Sequence, residues 1–137
     1  MPHHYKLARA AELDALEPLR DFIDNACRAE NVSDDIAFKI KLAVDEAASN
    51  VIEHGYKGMD PGSIILTLKF DPQRVLVELT DFGRPFEPSE SPLPDLEAML
   101  VDRPQGGFGL FFIYQTMDHV DYRTSRHGNT LIFTKKL

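Results

Sequence analysis

The stretch Val44-Asp45-Glu46-Ala47-Ala48-Ser49-Asn50-Val51-Ile52-Glu53-His54 predicts the second half of an amphipathic helix. At ~100° per residue, Glu46 and Asn50 fall on one side, one turn apart. Glu53 and His54 continue that side. The opposite side carries apolar residues at helical spacing, namely Ile36, Ile40, Ala43, Val44, Ala47 and Val51. We therefore expect one face to be buried, while the other presents a carboxylate, an amide and an imidazole to a ligand.

The length and composition are those of one folded domain. The chain has 137 residues, of which 43% are hydrophobic and 27% are charged. Its formal net charge of −7 argues against direct nucleic-acid binding, which needs a basic surface to neutralise phosphates. A nucleotide ligand stays possible, because backbone amides and a metal ion can neutralise phosphates locally.

Cysteine usage and hydropathy indicate where the protein acts. Cys27 is the single cysteine, which excludes an internal disulfide and fits a small core residue in a reducing compartment. No apolar run approaches the ~18 residues of a membrane span, and the N-terminus lacks an apolar signal region. The sequence predicts a cytoplasmic protein with no membrane contact.

Helical and strand patterns alternate along the chain. A helical pattern covers residues 12–30, and because Pro18 lies inside it, we expect the ordered helix to start there with Pro18 in its first turn. Ser33 is the expected N-cap of the second helix, which runs to about His54, and Gly55 is expected to end it in a left-handed conformation. Strands are predicted at 3–8, 63–70, 74–80, 120–124 and 130–134, the last four as two hairpins. This pattern indicates an α+β two-layer sandwich, a mostly antiparallel mixed sheet with helices on one face.

Residues 81–106 differ in composition, since five of the nine prolines lie there. A segment of this kind within a compact domain is functional or disordered, and we expect a mobile flap at about 87–105. A helix from Gly107 to about Met117 is expected to follow it.

The pair Glu46 and Asn50 suggests phosphate chemistry. Asn50 is suited to donate its side-chain oxygen to Mg²⁺, and Glu46 is close enough to act as a general base. The alternative is an ordinary solvated helix pair.

Two further motifs follow along the chain. In Asp81-Phe82-Gly83-Arg84-Pro85-Phe86, Asp81 can accept a hydrogen bond from the amine of a base, and Gly83 lets the backbone approach a flat ring. The alternative is a plain turn. Gly106-Gly107-Phe108-Gly109-Leu110 opens a helix and suits a phosphate cradle, or else a flexible hinge. Lys57 is the nearest candidate side-chain cation.

Together, these motifs and Met117-Asp118 followed by Gly128-Asn129-Thr130 give a resemblance over essentially the whole chain. It resembles the anti-sigma factor and switch-protein serine kinase family (RsbW-like), within the gyrase and histidine-kinase type of ATPases that share the Bergerat fold. The resemblance implies a single ATP-binding domain over residues 1–137, with the lid at about 87–105.

The resemblance also implies roles for individual residues. Glu46 is similar to the family's catalytic acid/base, and Asn50 to its Mg²⁺ ligand. Asp81 is similar to the aspartate that reads the adenine amine, with Gly83 beside the ring. The remaining ATP-binding positions that it implies are Gly107, Gly109, Leu110 and Thr130.

By the same resemblance, the protein phosphorylates a serine of a small anti-sigma-factor antagonist, binds a sigma factor or similar regulator, and forms a homodimer. Arg20 is a candidate partner contact, with a solvated arginine as the alternative. His54 belongs either to the site or to the helix end. The rival function is a nucleotide-gated binding module that never phosphorylates its partner.

Overall fold

The computed structural model describes residues 3–84 and 116–137. The predicted lid at 87–105, the glycine turn with Gly107, Gly109 and Leu110, and nearly all of the helix after it lie outside the described residues.

One antiparallel sheet joins the two described segments. Its strands are β1 (His3–Ala10), β2 (Ser63–Phe70), β3 (Arg74–Asp81), β4 (His119–Ser125) and β5 (Gly128–Lys136). Their order in the sheet is β1-β2-β3-β5-β4, and each neighbouring pair is antiparallel. All five predicted strands are therefore present, each within two residues of its expected limits.

Two helices connect β1 to β2. A short 3-10 turn (Leu13–Ala15) leads into α1 (Leu16–Ala29), and α2 covers Asp34–Asn50. The Ser33 hydroxyl accepts a hydrogen bond from the Ile36 backbone N–H at 3.3 Å, which confirms the predicted N-cap. The fold is the expected α+β arrangement of a sheet and helices.

The end of α2 differs from the sequence prediction. After Asn50 the chain continues as a π-helical turn, Val51–Gly55. Gly55 lies within this turn and does not have a positive φ angle, so the predicted left-handed ending is wrong. The helix widens there instead of stopping, and such π turns frequently occur at functional sites.

The core lies between the helices and one face of the sheet. Alternate residues of β2 and β3 point toward the helices, because side chains alternate along a strand. The fully buried side chains of this layer include Leu19, Ile23, Ile40, Val44, Ile64, Leu66, Leu68, Val75 and Val77. Burial of each large aliphatic side chain contributes ~1.5–3 kcal/mol. This packing fixes the C-terminal end of α2 over the end of β3.

Within the described residues, no helix is both long and apolar enough to cross a membrane.

Candidate functional site

A pocket lies between the C-terminal end of α2 and the sheet. It encloses about 610 Å³, including space open to solvent. Its walls are Ala47, Asn50, Val51, His54, Gly55, Leu79, Asp81, Arg84, Tyr122 and Leu131. The surface is largely apolar with a few polar groups, which is the usual character of a small-ligand site.

Asp81 is a buried carboxylate in this pocket, only 6% exposed. Its Oδ1 accepts the Gly83 backbone N–H at 2.9 Å and the Asn129 side-chain amide at 3.0 Å. Among residues 3–84 and 116–137, no group donates to the other oxygen, Oδ2. Asp81 therefore offers an acceptor to a ligand, such as the exocyclic amine of a base.

Gly83 lies against the π turn, where the backbones come into close contact. The backbone N–H of the next residue, Arg84, donates to the Gly55 carbonyl oxygen at 2.6 Å. A Cβ atom on Gly83 would lie 2.4 Å from that same oxygen. The glycine is required because two backbone segments meet there, whereas the sequence suggested an approach to a flat ring.

Tyr56 ties the loop after the π turn to the same motif. Its buried hydroxyl donates to the Ser63 carbonyl at 2.9 Å and accepts the Phe82 N–H at 2.8 Å. Burial raises the pKa of this hydroxyl, so Tyr56 stays protonated and keeps its donor. These bonds hold the backbone next to Asp81.

Glu46 lies on α2 one turn before Asn50 and is half-buried. Burial, followed by the negative charges of Glu53 and Asp45, raises the pKa of its carboxyl group. Glu46 does not line the pocket itself. A carboxylate with a raised pKa, one helical turn from a residue that lines the pocket, is a candidate general base.

Asn50 lines the pocket, and its side chain does not cap the π turn that follows. Within the described part of the chain no group hydrogen-bonds to its side-chain amide, so the amide oxygen is available to a ligand. His54 also lines the pocket, and its ring lies 3.8 Å from the Glu53 carboxylate.

Thr130 is not brought to the pocket. It pairs with Thr80 across β3 and β5, and their hydroxyls lie 3.1 Å apart on the sheet face away from the helices. Side chains alternate along a strand, so its neighbours Asn129 and Leu131 face the helices instead. Asn129, and not Thr130, is the residue of β5 that contacts Asp81.

The structure gives positions to the basic residues considered in the sequence analysis. Lys57 is exposed and does not line the pocket, whereas Arg84 does. Arg84 is three residues after Asp81 in the Asp81–Phe86 motif, so its position in the sequence already indicated a cation near Asp81. Arg20 pairs with Asp45, its Nε lying 2.9 and 2.8 Å from the two carboxylate oxygens, which joins α1 to α2.

Comparison with known proteins places this arrangement in a family. The family described as "Histidine kinase-like ATPase domain" matches residues 9–135. The serine/threonine-protein kinase BtrW of Bordetella bronchiseptica is 29% identical over 99 residues, which cover 72% of this chain and 70% of BtrW. An anti-sigma F factor of Clostridium botulinum is 28% identical over 97 residues, covering 71% of this chain and 68% of that protein.

A solved structure shows the same fold. The crystal structure of the RsbU and RsbW domains of a Mycobacterium tuberculosis protein superposes with a TM-score of 0.67 at 18% identity. The match covers 100% of this chain but only 32% of that one. The similarity to a protein named as a serine/threonine-protein kinase supports protein serine kinase activity for this chain. With its family match over almost the full length, the chain belongs to the histidine kinase-like ATPase domain family.

Proposed function

We propose that this protein is an ATP- and Mg²⁺-dependent serine-protein kinase that phosphorylates a small anti-sigma-factor antagonist. In the same proposal it sequesters a sigma factor or a similar regulator, acts as a homodimer and works in the cytoplasm. The observation that carries the proposal is the Oδ2 atom of buried Asp81, to which no residue of 3–84 or 116–137 donates, in a pocket that Asn50 also lines. Asp81, which would recognise the base, and Asn50, which would lie toward the phosphates, are thus on opposite walls of one pocket.

Adenine would bind at the sheet side of the pocket. Its exocyclic amine would donate to Asp81 Oδ2, and its ring would lie against apolar walls that include Val51, Leu79 and Leu131. A buried carboxylate left without its donor loses a hydrogen bond to a charged group, so bases lacking the amine should bind much more weakly.

Mg²⁺ fits the donor set only together with a nucleotide. Within residues 3–84 and 116–137 no cluster of three histidine, cysteine or acidic side chains could hold a metal alone. Asn50 supplies one neutral oxygen, and Mg²⁺ usually takes one or two protein oxygens plus phosphates and waters. When bound, the ion would neutralise charge on the phosphates. Arg84 and the glycine turn are the protein's own candidates for the remaining phosphate charge.

Glu46 would take the proton in the transfer step. The serine hydroxyl oxygen forms a bond to the γ-phosphorus while the bond from that phosphorus to the bridging oxygen breaks and ADP leaves. The hydroxyl proton passes to the Glu46 carboxylate. Its raised pKa makes it a better proton acceptor than an exposed glutamate. Positioning and charge neutralisation supply most of the rate enhancement in such reactions.

The partners are proposed from the relatives. One relative is named an anti-sigma F factor and another a serine/threonine-protein kinase, and the two names correspond to the two activities proposed here. Sequestration by binding and release by phosphorylation of an antagonist would then be properties of the same domain.

A phosphate-transfer assay tests the proposal. The full chain is incubated with ATP labelled at the γ-phosphate, Mg²⁺ and the small candidate antagonist encoded beside its gene. We expect label on one serine of the antagonist, and no label when chelator removes Mg²⁺. Binding of ATP without transfer to the antagonist would contradict the kinase and favour the nucleotide-gated binding module.

A further inference from the structure

Asn129 is a buried polar residue next to the pocket, and it is 2% exposed. It lies on β5 opposite Asp81 of β3. Its amide nitrogen donates to Asp81 Oδ1 at 3.0 Å and to the Gly83 carbonyl oxygen at 2.9 Å. Its amide oxygen accepts the Thr124 hydroxyl of β4 at 2.5 Å. The Asn129 side chain therefore connects β5 to β3, to the turn at Gly83 and to β4 at this end of the pocket.

The partners of Asn129 allow only one orientation of its amide. A carboxylate oxygen and a carbonyl oxygen can only accept, so both must face the NH₂ group. The Thr124 hydroxyl then donates to the remaining oxygen. Rotating the amide by half a turn would set three oxygen atoms against one another.

This fixed amide also determines how Asp81 is presented. Oδ1 receives two donors, one from Asn129 and one from the Gly83 N–H, so the carboxylate cannot rotate without losing both. The arrangement keeps Oδ2 as the acceptor available to a ligand.

We propose that Asn129 is a positioning residue, which orients the Asp81 carboxylate and thereby sets the preference for a base with an exocyclic amine. The inference rests on the proposed function, because it assumes that a nucleotide occupies the pocket. Thr124 contributes by fixing the amide of Asn129. The titratable or charged groups around this pair are His54, Tyr56, Arg84 and Tyr122.

The test compares ADP with inosine diphosphate, which carries an oxygen in place of the amine. Dissociation constants are measured by calorimetry for the full chain and for variants. Both ligands carry the same diphosphate, so contributions from the phosphate end of the site cancel in their ratio. We expect the unmodified protein to prefer ADP by at least about tenfold, since the oxygen of the inosine base would face Oδ2.

Thr124→Val is the first variant, because Thr124 is exposed and its replacement leaves the core intact. We expect the preference for ADP to fall by about threefold through loss of one hydrogen bond. Thr124→Ser keeps the hydroxyl and should retain the preference.

Asn129→Asp is the isosteric variant and adds a pH signature. Two carboxylates would then lie where the structure has a 3.0 Å hydrogen bond. Above neutral pH both are ionised and repel, so the preference for ADP should fall by about tenfold. As the pH is lowered the pair takes up one shared proton, which restores a donor, and the preference should recover.

Variants that bind both ligands with an unchanged ratio at every pH would overturn the role of Asn129 while leaving the proposed function intact. Failure of the unmodified protein to bind ADP at all would overturn the proposed function first, and this inference with it.

Discussion

At the scale of single residues, two carboxylates lie in different surroundings and suit different roles. Asp81 is buried and hydrogen-bonded through one oxygen, whereas Glu46 is half-buried beside two other acids and has a raised pKa. The first suits recognition, because it stays fixed. The second suits proton transfer, because its proton affinity is increased.

Replacement of Glu46 tests the second role. Glu46→Gln should lower the rate of phosphate transfer by at least ~100-fold. The dissociation constant for ADP should change by no more than about threefold. The folded-state pKa of Glu46 is raised, so its ionised form costs stability at pH 7, and the glutamine should raise the melting temperature. As the pH is lowered, the transfer rate of the unmodified protein should begin to fall at a higher pH than it would with an exposed glutamate as the base.

Glu53→Gln is the matched control, since it removes an exposed carboxylate that raises the Glu46 pKa. It should retain transfer and move the acid limb of the pH profile to lower pH. Transfer by Glu46→Gln at the normal rate would exclude Glu46 as the base.

The amide of Asn50 is tested through the metal. Asn50→Ala should weaken ATP binding in the presence of Mg²⁺ by about tenfold and should change binding in chelator little, because only the metal contact is lost. Titration calorimetry with and without Mg²⁺ measures both. Asn25→Ala, at an exposed amide on α1, controls for loss of an asparagine side chain. Equal losses with and without the ion would argue against a metal contact.

At the scale of elements, hydrogen bonds connect the π turn and the residue after it to the chain that leaves β3, and we call this contact the joint. The Arg84 N–H binds the Gly55 carbonyl, and Tyr56 binds the Phe82 N–H. This joint sets how the end of α2 approaches the sheet, and therefore how far Asn50 lies from Asp81.

Two glycine substitutions at this joint should behave oppositely. Gly83→Ala brings a Cβ to 2.4 Å from the Gly55 carbonyl oxygen and should destabilise the fold by ~1–3 kcal/mol. Gly55→Ala meets nothing closer than 3.5 Å on a helical backbone and should be neutral or stabilising by up to ~1 kcal/mol. Urea unfolding of both variants checks this. Equal free energies of unfolding for the two variants would show that the backbone segments at Gly55 and Gly83 can move apart to accommodate the added methyl group.

The same elements show what the sequence could and could not predict. Alternation over Ser63–Phe70 predicted β2 with its observed limits, because one buried face imposes a period of two. The same period explains why Thr130 and Asn129 lie on opposite faces of the sheet, since a shift of one residue moves a side chain to the other face. Asn129 meets Asp81 across 48 residues of sequence, so only the strand register reveals the contact.

At the scale of the whole molecule, the pocket is assembled from distant parts of the chain. One wall comes from α2 and the π turn, and the other comes from β3, β4 and β5. α1 contributes through packing and through the Arg20–Asp45 and Lys41–Asp24 ion pairs, which hold it on α2. Ligand affinity should therefore depend on the cooperative stability of the entire domain.

Cys27 offers a measurement of that stability, because it is the only cysteine and is buried on α1. Burial, with a smaller contribution from the Asp24 charge, raises its pKa to about 11. At pH 8 the native protein should react with a disulfide reagent on the order of 100-fold more slowly than the unfolded chain. ADP should slow the reaction further, since binding stabilises the folded state. Equally fast labelling in buffer and in urea would contradict a closed core around α1.

Nucleotide binding by Asp81→Asn is the most direct test of whether this pocket holds the base of a nucleotide. The introduced amide can keep its oxygen on Gly83 and Asn129, which places its NH₂ group where Oδ2 now faces the pocket. An acceptor for the base thus becomes a donor while the shape is preserved. We expect ADP binding to weaken by at least about tenfold and inosine diphosphate to become the better ligand. An unchanged affinity for ADP in a folded variant would contradict the assignment of this pocket as the nucleotide site.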